Sequence, residues 1–429
     1  MARVFVDEAA RAEFLASCAS GQPERVPRLI ASIVVHWAAK VPSQANATLP
    51  QLLERAMPVA AQMLNRMRTH SGPAVASAVP APRAAEPTMQ RVQPRLWVRT
   101  ASSEPQKRRK VPEPDARVRK IMAELRTLRL GSLPPDAVVC PERAYGRVVD
   151  WRRKVGAGAT APPPMALLRA LVHDGADIPT LTGSAGDHYW LLADERWVTP
   201  DELMNLFAVP PSAPLRRLLA PECAADALAI ARAMGRAVYP ICCENVLRQA
   251  LQATTLPSPV YYASACSGID LFPVALDHVL GPEAWLYVHA SEIRPRVADA
   301  LAYAYAPRGL TSAAIVEDAT SEAAGEWAPP ADIWVCTPPC EAFSRRNHAR
   351  SDSRSLATAT AFDAMLDYPR HHRPRVIVVE NVAEIDAHSV ISAGLASLPG
   401  YTFLPPQQLD AAQYGPMARA RRYWVGWLS

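Results

Sequence analysis

The stretch Val260-Tyr261-Tyr262-Ala263-Ser264-Ala265-Cys266-Ser267-Gly268-Ile269-Asp270-Leu271 decides the fold. Six residues of short apolar run lead into a tight turn with one glycine, and a helical pattern follows from 271 to 280. The same grammar repeats to the end of the chain. Apolar runs at 285–290, 333–336, 376–379 and 423–427 read as strands, and 295–305 and 356–368 read as helices between them. Strands alternating with helices predict an α/β fold, a doubly wound and mostly parallel sheet of Rossmann-like type. In such sheets ligands sit at the carboxyl ends of the strands.

Upstream the organisation changes. Apolar positions at helical spacing, such as Phe14, Leu15, Leu29, Ile30, Ile33 and Val34, predict a small helical module over 1–69. Residues 70–114 are rich in Ala, Pro, Ser and Arg without a periodic apolar pattern, which reads as a disordered linker. The chain holds 42 prolines in 429 residues, nearly twice the roughly 5% of average chains. Within the linker, Lys107-Arg108-Arg109-Lys110 is compatible with a nuclear-import address, a loose phosphate contact, or a solvated charge run. Residues 115–194 are basic, with Trp151 and Tyr145 among the cations, and 224–251 is helical with an interruption at Gly235 and Pro240.

No run approaches the roughly 18 apolar residues of a membrane span, and Asp7, Glu8 and Glu13 stand where a secretory signal is apolar. A soluble intracellular protein is expected. Eight cysteines show neither a disulfide framework nor zinc spacing, so reduced thiols and no metal are expected. The net charge of +5 permits a polyanionic partner without requiring one.

The chemistry-bearing residues fall at the expected strand ends. Gly268 stands where backbone approaches a ligand closely. Ser291-Glu292-Ile293 and Glu317-Asp318-Ala319-Thr320 put acids in successive strand-to-helix turns, which suggests a nucleoside cofactor. Thr337-Pro338-Pro339-Cys340-Glu341-Ala342-Phe343-Ser344 is the strongest local signal. Its prolines fix a rigid turn that presents Cys340 beside a helix start, while Cys336 reads as core. After the strand at 376–379, Glu380-Asn381-Val382 offers a carboxyl among apolar neighbours, where burial favours the protonated acid. A cysteine nucleophile with a protonated acid suits covalent attack on an electron-poor ring.

In this order, Ser267-Gly268, Glu292, Asp318, Pro338-Pro339-Cys340, Glu380-Asn381-Val382 and Tyr414-Gly415-Pro416-Met417-Ala418-Arg419-Ala420-Arg421 resemble the cytosine-5 DNA methyltransferase family over roughly 260–426. The resemblance implies S-adenosyl-L-methionine as cofactor and double-stranded DNA as partner, with a monomer expected. It implies Cys340 as nucleophile, Glu380 as acid, and Arg419 and Arg421 in the base pocket. Cys266, Ser267, Gly268 and Ile269 would line the methionine moiety, Glu292 the ribose and Asp318 the adenine amino group, with Ile293 and Ala319 as further cofactor contacts. Arg345 and Arg346 would suit phosphate contact, whereas His348, His371 and His372 are not needed, and Cys242-Cys243 reads as packing.

The family's final third looks as if it comes first. Ile178-Pro179-Thr180-Leu181-Thr182-Gly183 resembles the end of a target-recognition region. Glu195-Arg196-Trp197-Val198-Thr199-Pro200-Asp201-Glu202-Leu203 is similar to the stretch after it, and 233–240 to the closing helix. A circularly permuted member is implied. Its recognition-like region would be 115–194, its closing segment 195–255 and its catalytic core 256–429. The chain departs from the family in Asp270 and Leu271 where further glycines are usual, in Met417 for glutamine and in Arg236 for asparagine. Rival expectations are a tRNA cytosine-5 methyltransferase, whose further Cys-Phe-Thr segment is absent, and a catalytically silent DNA-binding descendant.

Overall fold

The upstream elements are short: helix α1 (Ala116–Leu125), strand β1 (Val138–Val139), helices α2 (Pro141–Lys154) and α3 (Met165–Arg169), and strands β2 (Val172–His173), β3 (Trp190–Leu191) and β4 (Arg196–Trp197). This computed structural model describes residues 116–126, 137–156, 162–173, 178, 189–220, 223, 227–340, 352–385 and 389–429. The helical module and linker expected before residue 115, the Lys107–Lys110 run, Thr180–Gly183 and the segment with Arg345, Arg346 and His348 lie outside the described residues. The four short strands pair antiparallel in the order β2-β1-β3-β4. Val118, Ile121 and Leu125 recur at helical spacing on α1 and bury against Val139, Val148 and Trp190, so this sheet has a core of its own.

Next come α4 (Pro200–Leu206), α5 (Ala227–Met234) and α6 (Pro240–Ala253). The helical pattern does break at Gly235, and Pro240 begins the next helix, where its missing N–H costs nothing. The larger sheet then assembles from β5 (Val260–Ala265), α7 (Phe272–Leu280), β6 (Trp285–Ser291), α8 (Pro295–Tyr305), β7 (Ile315–Val316) and β8 (Ile333–Cys336). It continues with α9 (Asp352–Met365), α10 (Asp367–His372), β9 (Val376–Val382), α11 (Val390–Ala396), β10 (Tyr401–Phe403), β11 (Gln407–Asp410) and β12 (Ala420–Leu428).

The strand order is β10-β12-β9-β8-β5-β6-β7, with β11 also on β12. Pairings among β5 to β9 are parallel, and those made by β12 are antiparallel. Strand alternation explains the two covered faces. Val376 and Val378 of β9 join the core that holds Ile241 and Val246 of α6, Val274 of α7 and Leu301 of α8. Ile377 and Val379 join the opposite core, with Phe362 of α9, Tyr368 of α10 and Leu395 of α11. Each such aliphatic contributes roughly 1.5–3 kcal/mol by burial, so a one-residue slip of β9 would cost several times that.

The chain runs from β5 outward to β6 and β7, then returns to place β8 on the other side of β5. The switch point therefore lies between β5 and β8, whose carboxyl ends carry Cys266 and Thr337. The paired backbone of β9 continues to Val382, three residues beyond the expected end, because β12 supplies partners: Tyr423 opposes Glu380 and Arg421 opposes Val382. Glu380 thus lies within a strand rather than after one.

Candidate active site

The turn after β8 is tied to both neighbouring strands. Thr337 N donates to Ala265 O at 3.1 Å, and its hydroxyl donates to Cys266 O at 2.8 Å. On the other side Asn381 Nδ2 donates to Pro338 O at 3.2 Å, while Asn381 Oδ1 accepts from Val382 N. These bonds fix the two prolines from which Cys340 follows. Cys340 is a partly exposed thiol outside any disulfide, whereas Cys336 is fully buried and burial pushes its thiol well above the ordinary range.

Glu380 is 8% exposed and sits on the face that also holds Cys242 and Cys243 of α6, both buried thiols. Burial raises its carboxyl above the usual range, opposed by the charges of Arg421 and Arg419. Arg421 Nε donates to Glu380 Oε1 at 2.9 Å. Arg419 is fully buried. Its Nη1 donates to Gly235 O at 3.1 Å, its guanidinium lies 5.9 Å from the Phe207 ring centroid, and its backbone N–H is held by Asp410. Burial and the charge of Arg421 bring its pKa down to about 9, opposed by Glu380 and Cys340 among others. Arg419 is therefore within electrostatic reach of both Glu380 and Cys340, and Arg421 is the one seen gripping the acid.

The turn after β5 holds three left-handed residues, Cys266 (φ +55), Gly268 (φ +59) and Asp270 (φ +42). An added Cβ at Gly268 would meet nothing within 4 Å, so open space faces that backbone. Gly268 N donates to Glu292 Oε2 at 2.9 Å, and Ser267 N donates to Ser291 O at 2.8 Å. Glu292, 5% exposed, also accepts from Arg294 N and from Arg294 Nε at 2.7 Å. Beside it Ile293 is 69% exposed, an apolar surface next to a buried carboxylate. Asp318 is exposed after β7 and accepts from the Thr320 N–H and hydroxyl, with Ala319 partly buried beside it. Ile269 is buried in the core below the turn. A buried acid, an exposed acid, an open glycine and an exposed aliphatic along three adjacent strand ends suit a ligand with hydroxyls, an amino-bearing ring and a cationic or apolar tail.

Two sets of contacts are made by residues that the sequence marks only as resemblance or departure, without a bonding role. Arg196 grips Glu202 through both nitrogens at 2.8 and 2.7 Å, and Thr199 forms a reciprocal capping box with Glu202. The signal was Thr199-Pro200-Asp201-Glu202 ahead of an apolar run. Asp270 is also buried, and it accepts two tyrosine hydroxyls. Tyr262 and Tyr287 stand in register on adjacent strands, so two phenols share one face and need an acceptor.

A cavity of about 370 Å3 opens at the amino ends of β5, β8 and β9, between Tyr261, Asp332, His372, Arg373, Arg375 and Leu428. That is the sheet edge opposite Cys340 and Glu380, so it plays no part in their chemistry. Ile178, resembling the end of a recognition region, makes a parallel bridge with Met417: Ile178 N donates to Pro416 O at 2.7 Å and Ala418 N donates to Ile178 O at 3.0 Å.

The strand order and the placement of polar groups at the carboxyl ends define a doubly wound α/β protein with a Rossmann-like sheet. No protein-family model matches the chain, and no curated protein matches it. Solved structures do. One is a DNA modification methyltransferase encoded within an E. coli prophage, at 20% identity over 39% of this chain and 47% of that one, TM-score 0.30. Another is the S. pombe Dnmt2 methyltransferase, at 20% identity over 39% and 51%, TM-score 0.29. A third is the Entamoeba histolytica methyltransferase EhMeth, at 16% identity over 40% and 53%, TM-score 0.30. The chain spans about half the length of these structures. Among the described residues no helix is long and apolar enough to cross a membrane.

Proposed function

We propose that the chain is a DNA cytosine-5 methyltransferase, a circularly permuted one, acting on a cytosine turned out of the duplex. The observation that carries this reading is the convergence of the Cys340 turn and Glu380: Asn381 bonds Pro338 O, and Arg419 feels both Glu380 and Cys340. Turning the base out costs a few kcal/mol of stacking. The Cys340 thiolate adds to carbon 6 of the ring. Glu380, its proton favoured by burial, donates to the adjacent ring nitrogen and takes up the charge that would resist addition. Arg421 orients Glu380 and limits how far burial raises its pKa.

Carbon 5 then acts as nucleophile; S-adenosyl-L-methionine, when bound, supplies the methyl group. Loss of the carbon 5 proton and expulsion of Cys340 complete the exchange. The residues around Gly268 fit that cofactor, with open space at the glycine for the methionine part, Glu292 for the ribose and Ile293 and Asp318 for the adenine. The permuted order is supported by α6 packing against α7, β12 and β9 of the main sheet, and by the Ile178 bridge to the segment before Arg419.

The test is transfer of labelled methyl from S-adenosyl-L-methionine to duplex DNA, with bisulfite sequencing of the product and a Cys340→Ser comparison. Labelling that needs Cys340 is expected. Equal labelling by both proteins, or transfer to tRNA and not DNA, would overturn the nucleophile or the substrate.

A further inference from the structure

The turn from Cys266 to Asp270 is expensive backbone. Two of its three left-handed residues are not glycine, and such residues persist only where surrounding bonds over-determine them. The bonds are unusually dense at Asp270. Its Oδ2 accepts the Tyr262 hydroxyl at 2.8 Å and the Tyr287 hydroxyl at 2.6 Å, and its Oδ1 accepts Phe272 N at 3.1 Å. Its carbonyl accepts the Tyr305 hydroxyl at 2.5 Å, and its own N–H donates to Ser267 O at 3.0 Å. From Tyr287 the network runs on through Ser264 to Ser267, whose hydroxyl accepts from Ser291 N, one residue before Glu292. Glu292 in turn accepts from Gly268 N. One ring of hydrogen bonds thus joins the base of the turn to the acid that faces its tip.

We infer that Asp270 is the positioning residue of this turn: its carboxylate, clamped by Tyr262 and Tyr287, sets the left-handed conformation that opens Gly268 to a ligand and keeps Glu292 in its seat. The reference to a ligand rests on the cofactor reading above. Asp270 touches no reacting atom and acts through the backbone it holds. Its role depends on ionisation, because a carboxylate accepts both phenols and the Phe272 N–H at full strength, whereas a carboxylic acid loses accepting strength at the oxygen that carries the proton and so weakens at least one of the three contacts. The groups that face it are Tyr262 from β5, Tyr287 from β6, Tyr305 from α8 and, electrostatically, Cys243 from α6. Burial pushes each of these above its usual value, so all four are neutral near neutral pH and none competes with Asp270 as an anion. Burial likewise brings Asp270 up to about 6, against the hydrogen bonds of Tyr287 and Tyr262. The clamp is therefore fully ionised only well above pH 6 and loosens as pH falls through about 6.

The experiment pairs two readouts on the full chain. Amide hydrogen exchange over 266–271 is measured without ligand, and S-adenosyl-L-homocysteine affinity is measured from pH 5 to 8, for the natural protein, Asp270→Asn and the Tyr262→Phe, Tyr287→Phe pair. Both variants should speed exchange in the turn at least tenfold while the other strands keep their protection. Affinity should fall about tenfold, and the weakening of natural-protein binding below pH 6 should vanish in Asp270→Asn. Unchanged turn exchange in both folded variants overturns the inference, as does a pH profile that survives Asp270→Asn. Faster turn exchange with no binding of S-adenosyl-L-homocysteine by any form upholds the clamp and overturns the cofactor reading instead.

Discussion

Arg421 reaches Glu380 on the diagonal: the two lie on adjacent antiparallel strands, yet Arg421 opposes Val382 in register and Tyr423 opposes Glu380, so the 2.9 Å ion pair spans two positions. Both groups are largely buried, 17% and 10% exposed at the side chain. Strand pairing therefore sets which arginine can reach the acid.

Removing Arg421 takes away the hydrogen-bonded cation of a buried carboxyl and leaves only the charge of Arg419 to oppose its burial. Arg421→Ala should destabilise by about 3–5 kcal/mol in urea unfolding at pH 7. Much of that should return in the Arg421→Ala, Glu380→Gln double variant, which removes both members of the pair. Methyl transfer by Arg421→Ala should fall at least about 100-fold. An Arg421→Ala protein as stable as its parent would mean the pair contributes nothing.

Gly268 separates backbone strain from ligand contact. Its φ of +59 disfavours a side chain, but an added methyl meets open space. Gly268→Ala should cost only about 1–2 kcal/mol of stability, while weakening S-adenosyl-L-homocysteine binding by about tenfold or more. A variant that loses stability without losing affinity would remove the turn from the cofactor site.

Glu202 gives a prediction with a pH sign. Burial alone would raise its carboxyl, yet hydrogen bonds from Arg196 and Thr199, with the charge of Arg196, hold it below the usual 4.5. A group depressed on folding contributes stability above its unfolded pKa, and that contribution is lost as pH falls through the folded value. Glu202→Gln should cost about 1.5–3 kcal/mol at pH 7, and the gap between variant and parent should close as pH drops below 4.5. A constant gap down to pH 3 would rule out ionisation as its origin.

Gly426 pairs with Phe403, and the Phe403 ring occupies the space where a Cβ would project. Gly426→Val should destabilise by about 1–3 kcal/mol through overpacking. Phe403→Ala in the same chain should relieve the clash, so a double-variant cycle that shows no coupling would contradict the contact.

The parallel core was legible because its strands are buried on both faces and read as apolar runs, and β5 and β8 fall on their expected residues. The small sheet was not. Strands of two residues, such as Val138–Val139, carry no periodicity to detect. The extension of β9 through Glu380 was hidden because its partner Tyr423 lies 43 positions on, and only pairing with β12 makes that backbone a strand. Cys340 and Glu380 stood out as chemistry in an apolar setting. Asp270 did not, because its partners Tyr262, Tyr287 and Tyr305 are spread over three elements and read singly as core aromatics.

The bridge between Ile178 and Met417 is made by peptide groups alone. Peptide groups set the register of that contact, while the Ile178 and Met417 side chains, both fully buried, seal it into the main core. One buried aliphatic at 178 thus anchors, in backbone and side chain alike, the main chain that leads into Arg419.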